Sequence, residues 1–547
     1  MEIIAKLECQ THQKDRFPFY WAALPYTTAL TLCFALAALL GSTTVCPAAQ
    51  VALAVDMNPG PGSSAPGGMT ELNGQLYFTA YMPATGVELY RFDGQTVSLA
   101  ADILTGTASS TPASLATYNN RLYFSASGAS GPSRLYQFDG ITASLTPGCT
   151  ASQNPEDLFV YNGKLYFRAT MFGSYGMELW SHNGAGQTVI DLYPGPGSSG
   201  PKEFIQFNGQ VYFNANSQFW RYGGTTATLI DPDINPEAFV AFDGKLYFRM
   251  YESTHGSELW CYDGANQATR VTDINPGPEF ASPSGMTVYN GAIYFSADNG
   301  IDGFELWRYD GTTAEMVADI NPTPYVPGID PVHNSFPHNF AVYKAVLFFA
   351  ADDGEHGQEL WAYDGQNLTM LADLYPGPGW SDPGQFTVFK DVLYFTASND
   401  ELGSELWKIV PSMELLTPNG GESLSSGSEL QITWRKEPLV QNVDIELSTD
   451  NGSTWAAITP PNSGNAGSYT WLVPNIESEH CLIRISDSCD SGVADQSDSA
   501  LEIYQCALAY DLNGDCLIDM EDMSLLLTEW LKCGKADDPT CGGRLKE

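Results

Sequence analysis

Near the end of the chain, oxygen-bearing side chains fall at short intervals: Asp511, Asn513, Asp515, Asp519 and Asp522, in the run DLNGDCLIDMED. Counted from Asp511 these are loop positions 1, 3, 5, 9 and 12, with the Leu517 carbonyl at position 7. A hard divalent cation such as Ca2+ takes about six to eight oxygens, and this spacing wraps oxygens round one centre. The sequence therefore predicts Ca2+ as the cofactor, held by Asp511, Asn513, Asp515, Leu517, Asp519 and Asp522. One position departs from the usual loop. Cys516 stands at position 6, where glycine normally supplies a positive φ, and the replacement costs about 1 kcal/mol there. A helix is expected next, because Met523, Leu526, Leu527, Trp530 and Leu531 make one apolar stripe.

The remaining chemistry-bearing residues do not converge. Of seven histidines, His182, His255 and His356 are expected in repeated loops and His480 in a later module. His333 and His338 lie with Asp330 in an insertion, Tyr325 to Asn339, which reads as a solvated loop. The chain has no Gly-x-Ser-x-Gly, no His-Glu-x-x-His and no phosphate loop. Glu88, Glu178, Glu258, Glu305, Glu359 and Glu405 recur, as do Asp56, Asp102, Asp191, Asp273, Asp319 and Asp373. A carboxylate present in nearly every copy of a repeat serves the repeat better than it serves one active site. Asp298 with Asp302, and Asp352 with Asp353, lie in acidic loops that read as turns. No catalytic residue is assigned. Asp and Glu outnumber Lys and Arg by 64 to 24, a formal charge of −40. Such a chain repels phosphate backbones and anionic lipid, so nucleic-acid binding is excluded from the expected functions.

These residues are positioned by a repeat with a period near 46 residues. Its second segment recurs as Leu76-Tyr77-Phe78, Leu122-Tyr123-Phe124, Leu165-Tyr166-Phe167, Val211-Tyr212-Phe213, Leu246-Tyr247-Phe248, Ile293-Tyr294-Phe295, Leu347-Phe348-Phe349 and Leu393-Tyr394-Phe395. An aromatic follows each, from Tyr90 and Tyr136 to Trp361 and Trp407. Each copy holds four short β-rich segments. Asn-Gly or Asp-Gly, as at Asn73-Gly74 and Asp243-Gly244, joins the first two and is a strong hairpin signal. A Pro-rich tail such as Asp191-Leu-Tyr-Pro-Gly-Pro-Gly ends the sheet. Four strands per repeat, copied eight times, predict an eight-bladed β-propeller over residues 50–411. The eighth copy stops at ELWKIV without its fourth strand, and VALAVDMNPGPGSS before the first copy matches that missing piece. The segment from Val51 to Met57 is therefore expected to complete the last blade and remove the exposed edges.

Residues 1–49 read as a signal peptide. Lys14 and Arg16 precede an apolar run from Ala29 to Leu40, with small residues at Pro47-Ala48-Ala49. The run is shorter than the roughly 20 residues a spanning helix needs. Cleavage is expected after Ala48 or Ala49, because a cut after Ala54 would destroy the closing strand. Of eleven cysteines, Cys9, Cys33 and Cys46 leave with the signal. Cys506, Cys516, Cys533 and Cys541 crowd the end of the chain, where export permits disulfides. Their pairing is open. Cys149 and Cys261 sit in different repeats and read as free thiols.

Residues 412–504 change character, to alternating strands with polar turns, and predict a small immunoglobulin- or fibronectin-like β-sandwich. Residues 505–547 hold the calcium loop and its helix. On the motif Glu-Leu-Trp at 178–180, 258–260, 305–307, 359–361 and 405–407, most copies followed by Asp-Gly, the repeats resemble the ELWxxDGT family of bacterial surface and secreted proteins. That family implies a propeller and carries no established reaction. The opening Pro-Asn-Gly-Gly-Glu resembles fibronectin-like modules appended to secreted bacterial proteins. The run Ser448 to Trp455 is similar to the Asp-box of sialidases, a hairpin motif without catalytic role. The calcium loop resembles one half of a type I dockerin, lacking the second repeat, and implies a cohesin-like partner. The fold class read from the sequence is thus mainly β: a propeller, a sandwich and a short calcium-loop-plus-helix module. The expected function is that of a secreted or cell-surface binding or scaffold protein with a carbohydrate- or protein-binding propeller. The alternative is an extracellular polysaccharide hydrolase or lyase with its site in the funnel.

Overall fold

The structure is a computed structural model and describes residues 49–129, 131–149, 152–171, 173–322, 334–435, 439–460, 463–505 and 520–533. The chain is mainly β and propeller-like. Eight four-stranded antiparallel sheets follow one another along it. Sheet 1 spans Gly67–Ala101, sheet 2 Ala113–Leu145, sheet 3 Gln153–Ile190 and sheet 4 Lys202–Asp231. Sheet 5 spans Glu237–Arg270, sheet 6 Ser284–Ala318 and sheet 7 His338–Ala372. Sheet 8 takes three strands from Gly384–Pro411 and its fourth from Ala49–Val55. That N-terminal strand runs antiparallel to Gly403–Pro411, with Ala49 opposite Pro411 and Leu53 opposite Trp407. It begins two residues before the segment marked out in the sequence and ends at Val55, because the chain turns at Asp56 to enter the Pro-rich loop.

The local chemistry of each sheet follows from its turns. At Asn73-Gly74 both residues have positive φ, 54° and 73°, which matches the right-handed twist of the strands they join. After the third strand, the Asp93 Oδ1 accepts the amides of Gln95 at 2.8 Å and Thr96 at 2.7 Å. The same bonds recur at Asp139, Asp263, Asp310 and Asp364. These aspartates are turn-builders.

Alternation along the second strand sends neighbouring aromatics to opposite faces. Tyr77 packs with Leu122, Phe124 and Phe138 of sheet 2, whereas Phe78 packs with Phe389 and Tyr394 of sheet 8. A buried apolar cluster lies between every consecutive pair of sheets, and one more joins sheet 8 to sheet 1. No sheet covers its own faces, so the neighbours supply the core. Hydroxyls add to the joints: Tyr161 donates to the Gly209 carbonyl at 2.7 Å and Tyr343 to the Asp391 carbonyl at 2.6 Å, each in the next sheet.

After sheet 8, two further sheets enclose a separate core of Ile432, Trp434, Val443, Ile445, Trp471, Cys481, Ile483, Ile485, Leu501 and Ile503. Leu439 leaves this unit and packs against Tyr343, Val346 and Phe348 of sheet 7. In the hairpin at Ser448 to Trp455, Asp450 accepts the Thr454 amide at 2.8 Å and its hydroxyl at 2.7 Å. Trp455 lies 4.2 Å from the Arg484 guanidinium, which also pairs with Glu446 at 2.6 Å. Cys481 is buried and Cys489 exposed, and both are free thiols, like Cys149 and Cys261. A helix, Met520–Cys533, is the last described element. Among the described residues no helix is long and apolar enough to cross a membrane.

Candidate functional site

The recurring glutamates are consumed by the architecture. Glu88, Glu178, Glu258, Glu305, Glu359 and Glu405 have no solvent exposure. Each lies in the first half of a third strand and clamps the loop that leaves its sheet. Glu305 accepts the Ile320 amide at 2.7 Å, the Ser335 amide at 3.1 Å and the Ser335 hydroxyl at 2.6 Å. Glu405 does the same with Met57 and Ser64, which anchors the N-terminal strand's exit. At Glu258 the serine is replaced by Ala281, and the Thr272 hydroxyl takes over at 2.7 Å. Burial disfavours the charged form. It raises the pKa of Glu178, Glu359 and Glu405 and pushes Glu305 up to about 7, although the accepted hydrogen bonds pull the other way. Beside them, the Oδ1 atoms of Asp56, Asp191 and Asp373 are buried with no hydrogen-bond partner.

The acidic loops are turns too. Asn299 Oδ1 accepts the amides of Ile301 and Asp302 at 2.9 Å, and Asp353 Oδ1 those of Glu355 and His356 at 2.9 Å. Of the predicted calcium ligands, Asp511, Asn513, Asp515, Leu517 and Asp519 lie outside the described residues. Asp522 sits in the first turn of the helix Met520–Cys533 and is buried. His333 and Asp330 also lie outside the described residues, while His338 pairs with Asp382 at 2.9 Å. No group of three or more His, Cys, Asp or Glu gathers in metal-binding fashion among the described residues.

His182 corrects its expected loop placement. It ends the strand Tyr175–His182 and is 1% exposed. Its Nδ1 lies 3.4 Å from the Sγ of Cys149 in sheet 2's outgoing loop. A Cys–His contact invites comparison with a nucleophile and its base. Burial pushes the Cys149 thiol up to about 12 and lowers the His182 pKa, so neither charged form is favoured. The pair is a buried contact between sheets 2 and 3.

The site missed in the sequence lies on the innermost strands. In each sheet one residue near the start of the first strand faces one on the second. The pairs are Gly67–Thr79, Ala113–Ser125, Ser284–Ser296, His338–Ala350 and Gly384–Thr396 in sheets 1, 2, 6, 7 and 8. In sheets 3, 4 and 5 they become Glu156–Arg168, Lys202–Asn214 and Glu237–Arg249. The next residue has positive φ in every sheet. In sheets 3 and 4 that residue is Asp157 and Glu203.

The result is a charged arc across three successive sheets. Arg168 pairs with Glu156 at 2.6 Å and Asp157 at 3.1 Å. Glu237 takes Arg249 at 2.7 Å and, from the neighbouring sheet, Lys202 at 3.0 Å. Glu203 accepts the Ala238 amide of sheet 5 at 3.0 Å. The Arg249 guanidinium, with Lys202, holds Glu237 below the usual carboxylate range. Against the arc opens a cavity of about 510 Å³, lined by Asp157, Phe159, Arg168, Lys202, Glu203 and Phe204. Phe159 and Phe204 meet at 4.9 Å across the joint between sheets 3 and 4. The arc thus offers fixed, opposite charges beside aromatic rings, which suits recognition of a polar ligand. A column-by-column comparison of the repeats would have found it, because Arg168 and Arg249 stand where other copies carry small residues.

No family model matches the chain, and no curated protein matches it. Among solved structures, a puromycin hydrolase is 13% identical, with a TM-score of 0.38 over 62% of this chain. The chain spans 59% of that hydrolase's length. The propeller domain of the trilobed protease from Pyrococcus furiosus is 10% identical over 57% of this chain and 98% of its own, with a TM-score of 0.33. The extracellular domain of a hybrid two-component system from B. thetaiotaomicron is 11% identical over 80% of this chain and 68% of its own, at 0.33. These scores carry no argument, and the propeller-like architecture rests on the sheets themselves.

Proposed function

We propose that this chain is a secreted or cell-surface binding protein without catalytic activity, built on a closed eight-bladed ELWxxDGT-type propeller. The charged arc of sheets 3–5 is its recognition surface for a carbohydrate or protein ligand. The observation that carries this reading is the contrast within one set of residue types. The recurring glutamates are saturated by amides and hydroxyls, whereas Glu156, Asp157 and Glu237, which break the repeat, are ion-paired beside an open cavity. A proton-transfer site needs a carboxyl with its pKa near the working pH and a route to substrate. Glu305 meets the first condition but is fully buried, and Glu237 is open to the arc but held ionised.

In this reading residues 412–504 form an immunoglobulin-like spacer, and the dockerin-like end, residues 505–547, binds Ca2+ and attaches to a cohesin-like or cell-surface partner. The experiment is a glycan array with reducing-sugar release measured on the same panel, in Ca2+ and in chelator. Binding without release supports the proposal. Turnover would instead establish the hydrolase or lyase reading.

A further inference from the structure

Three successive inter-sheet loops leave aromatic rings in water, and each does so at a structural cost. The residue before the clamping serine commonly caps the third strand of the sheet that the loop leaves, by accepting an amide at its start. Ser63, Ser109 and Ser198 accept the amides of Ser404, Val87 and Met177 at 3.0, 2.9 and 2.9 Å, and the Asn334 side chain accepts that of Phe304 at 2.8 Å. In the loops after sheets 5 and 7 this position is Phe280 and Trp380, neither of which can accept that bond. Phe280 is 51% exposed and stacks at 5.4 Å on Tyr251, itself 57% exposed. Trp380 is 61% exposed.

The loop between them, after sheet 6, carries Phe336 at φ 44°, where the corresponding residues are Ala65, Thr111, Gly200, Ser282 and Asp382. Positive φ is a genuine strain for so bulky a residue. Phe336 stacks on Phe304 at 5.3 Å and remains 47% exposed. All three loops lie on one edge of the sheets, since their carbonyls at Ala281, Ser335 and Ser381 each accept an amide from the end of the following sheet's second strand. Lost caps and a strained phenylalanine, repeated in neighbouring loops with rings facing solvent, mark a surface kept for a ligand.

We infer that this edge binds a neutral polysaccharide, whose pyranose C–H faces stack on Phe280, Phe336 and Trp380. The neutral class follows from charge. A chain of net charge −40 repels anionic polymers, and the carboxylates of Glu252, which follows Tyr251, and of Asp400, which is bonded to the Tyr375 hydroxyl, add negative charge to the same loops. A polymer follows from the succession of rings, since several weak stacking contacts on one ligand multiply. The inference rests on the binding-protein reading and adds a second surface to it.

The test is affinity electrophoresis of the full chain in gels containing mixed-linkage β-glucan, xylan or galactomannan, with polygalacturonate as the anionic arm. We expect retardation by at least one neutral polymer and weaker retardation by its short oligosaccharide as competitor. Trp380→Ala should weaken retardation about tenfold and the Phe280→Ala/Phe336→Ala/Trp380→Ala triple variant should abolish it, with thermal midpoints no lower than wild type. Ile141→Ala, in an exposed turn of sheet 2, should bind these polymers as wild type does. Retardation by none of the three polymers, or stronger retardation by polygalacturonate, overturns the inference. So does a triple variant that binds normally. If that variant binds while Arg168→Gln does not, the binding-protein reading survives and only the aromatic edge fails. Release of reducing ends from a retained polymer would defeat the binding-protein reading, while loss of binding in the triple variant would still locate the ligand.

Discussion

Glu305 and Glu237 belong to the same kind of sheet, both accept short bonds, and they sit in opposite electrostatic circumstances. Glu305 is sealed between strand and loop, satisfied by two amides and a hydroxyl, and driven toward its neutral form by burial. Glu237 stands on the innermost strand between Arg249 and Lys202 and stays ionised. Glu305 has counterparts in five other sheets, whereas Glu237 has one, Glu156, in a repeat of eight. The difference teaches that a carboxylate's role in a repeat protein is read from whether its neighbours repeat with it.

The sharpest way to break this comparison is to delete the recurring member. Glu305→Ala strands the buried Ile320 amide, while the Ser335 amide keeps its bond to the Phe304 carbonyl at 3.0 Å. One unsatisfied buried donor costs about 1–3 kcal/mol, and a loss of that size is expected in chemical denaturation. A loss under about 1 kcal/mol would show that the clamp is not structural.

Next in size is a pH effect. The folded pKa of Glu305, about 7, lies above its ordinary value of 4.5. Between those values the native state holds a proton that the unfolded chain has lost. The stabilising contribution is therefore complete below about 4.5 and disappears as pH rises through about 7. Denaturation midpoints of wild type should fall between pH 5 and 8, and Glu305→Gln should flatten part of that fall. Parallel profiles would contradict the assignment.

The smallest stability effect belongs to the arc. Partly exposed ion pairs contribute roughly 0–1 kcal/mol, so Arg168→Gln with Arg249→Gln should barely move the midpoint. The same double variant should change which ligands are bound on a glycan or protein panel. A large stability loss with unchanged binding would make the arc a second structural clamp.

The sheets were legible in the sequence because their signals are local. Asn73-Gly74, the Tyr-Phe pairs and the missing strand after ELWKIV each predict a feature within a few residues. The arc was not, because Glu156, Lys202 and Glu237 are far apart along the chain and meet only when first strands line up. The Cys149–His182 contact was missed for the same reason. The sequence puts His182 in a repeat loop, yet strand pairing with Leu165 extends to His182 itself.

The most direct test of the account's central claim, that departures from the repeat bind a ligand and catalyse nothing, is the full chain on a glycan panel with reducing ends assayed in every well. The account predicts retention of at least one glycan with no release of reducing ends, in Ca2+ and in chelator alike. Release of reducing ends by wild type would contradict it.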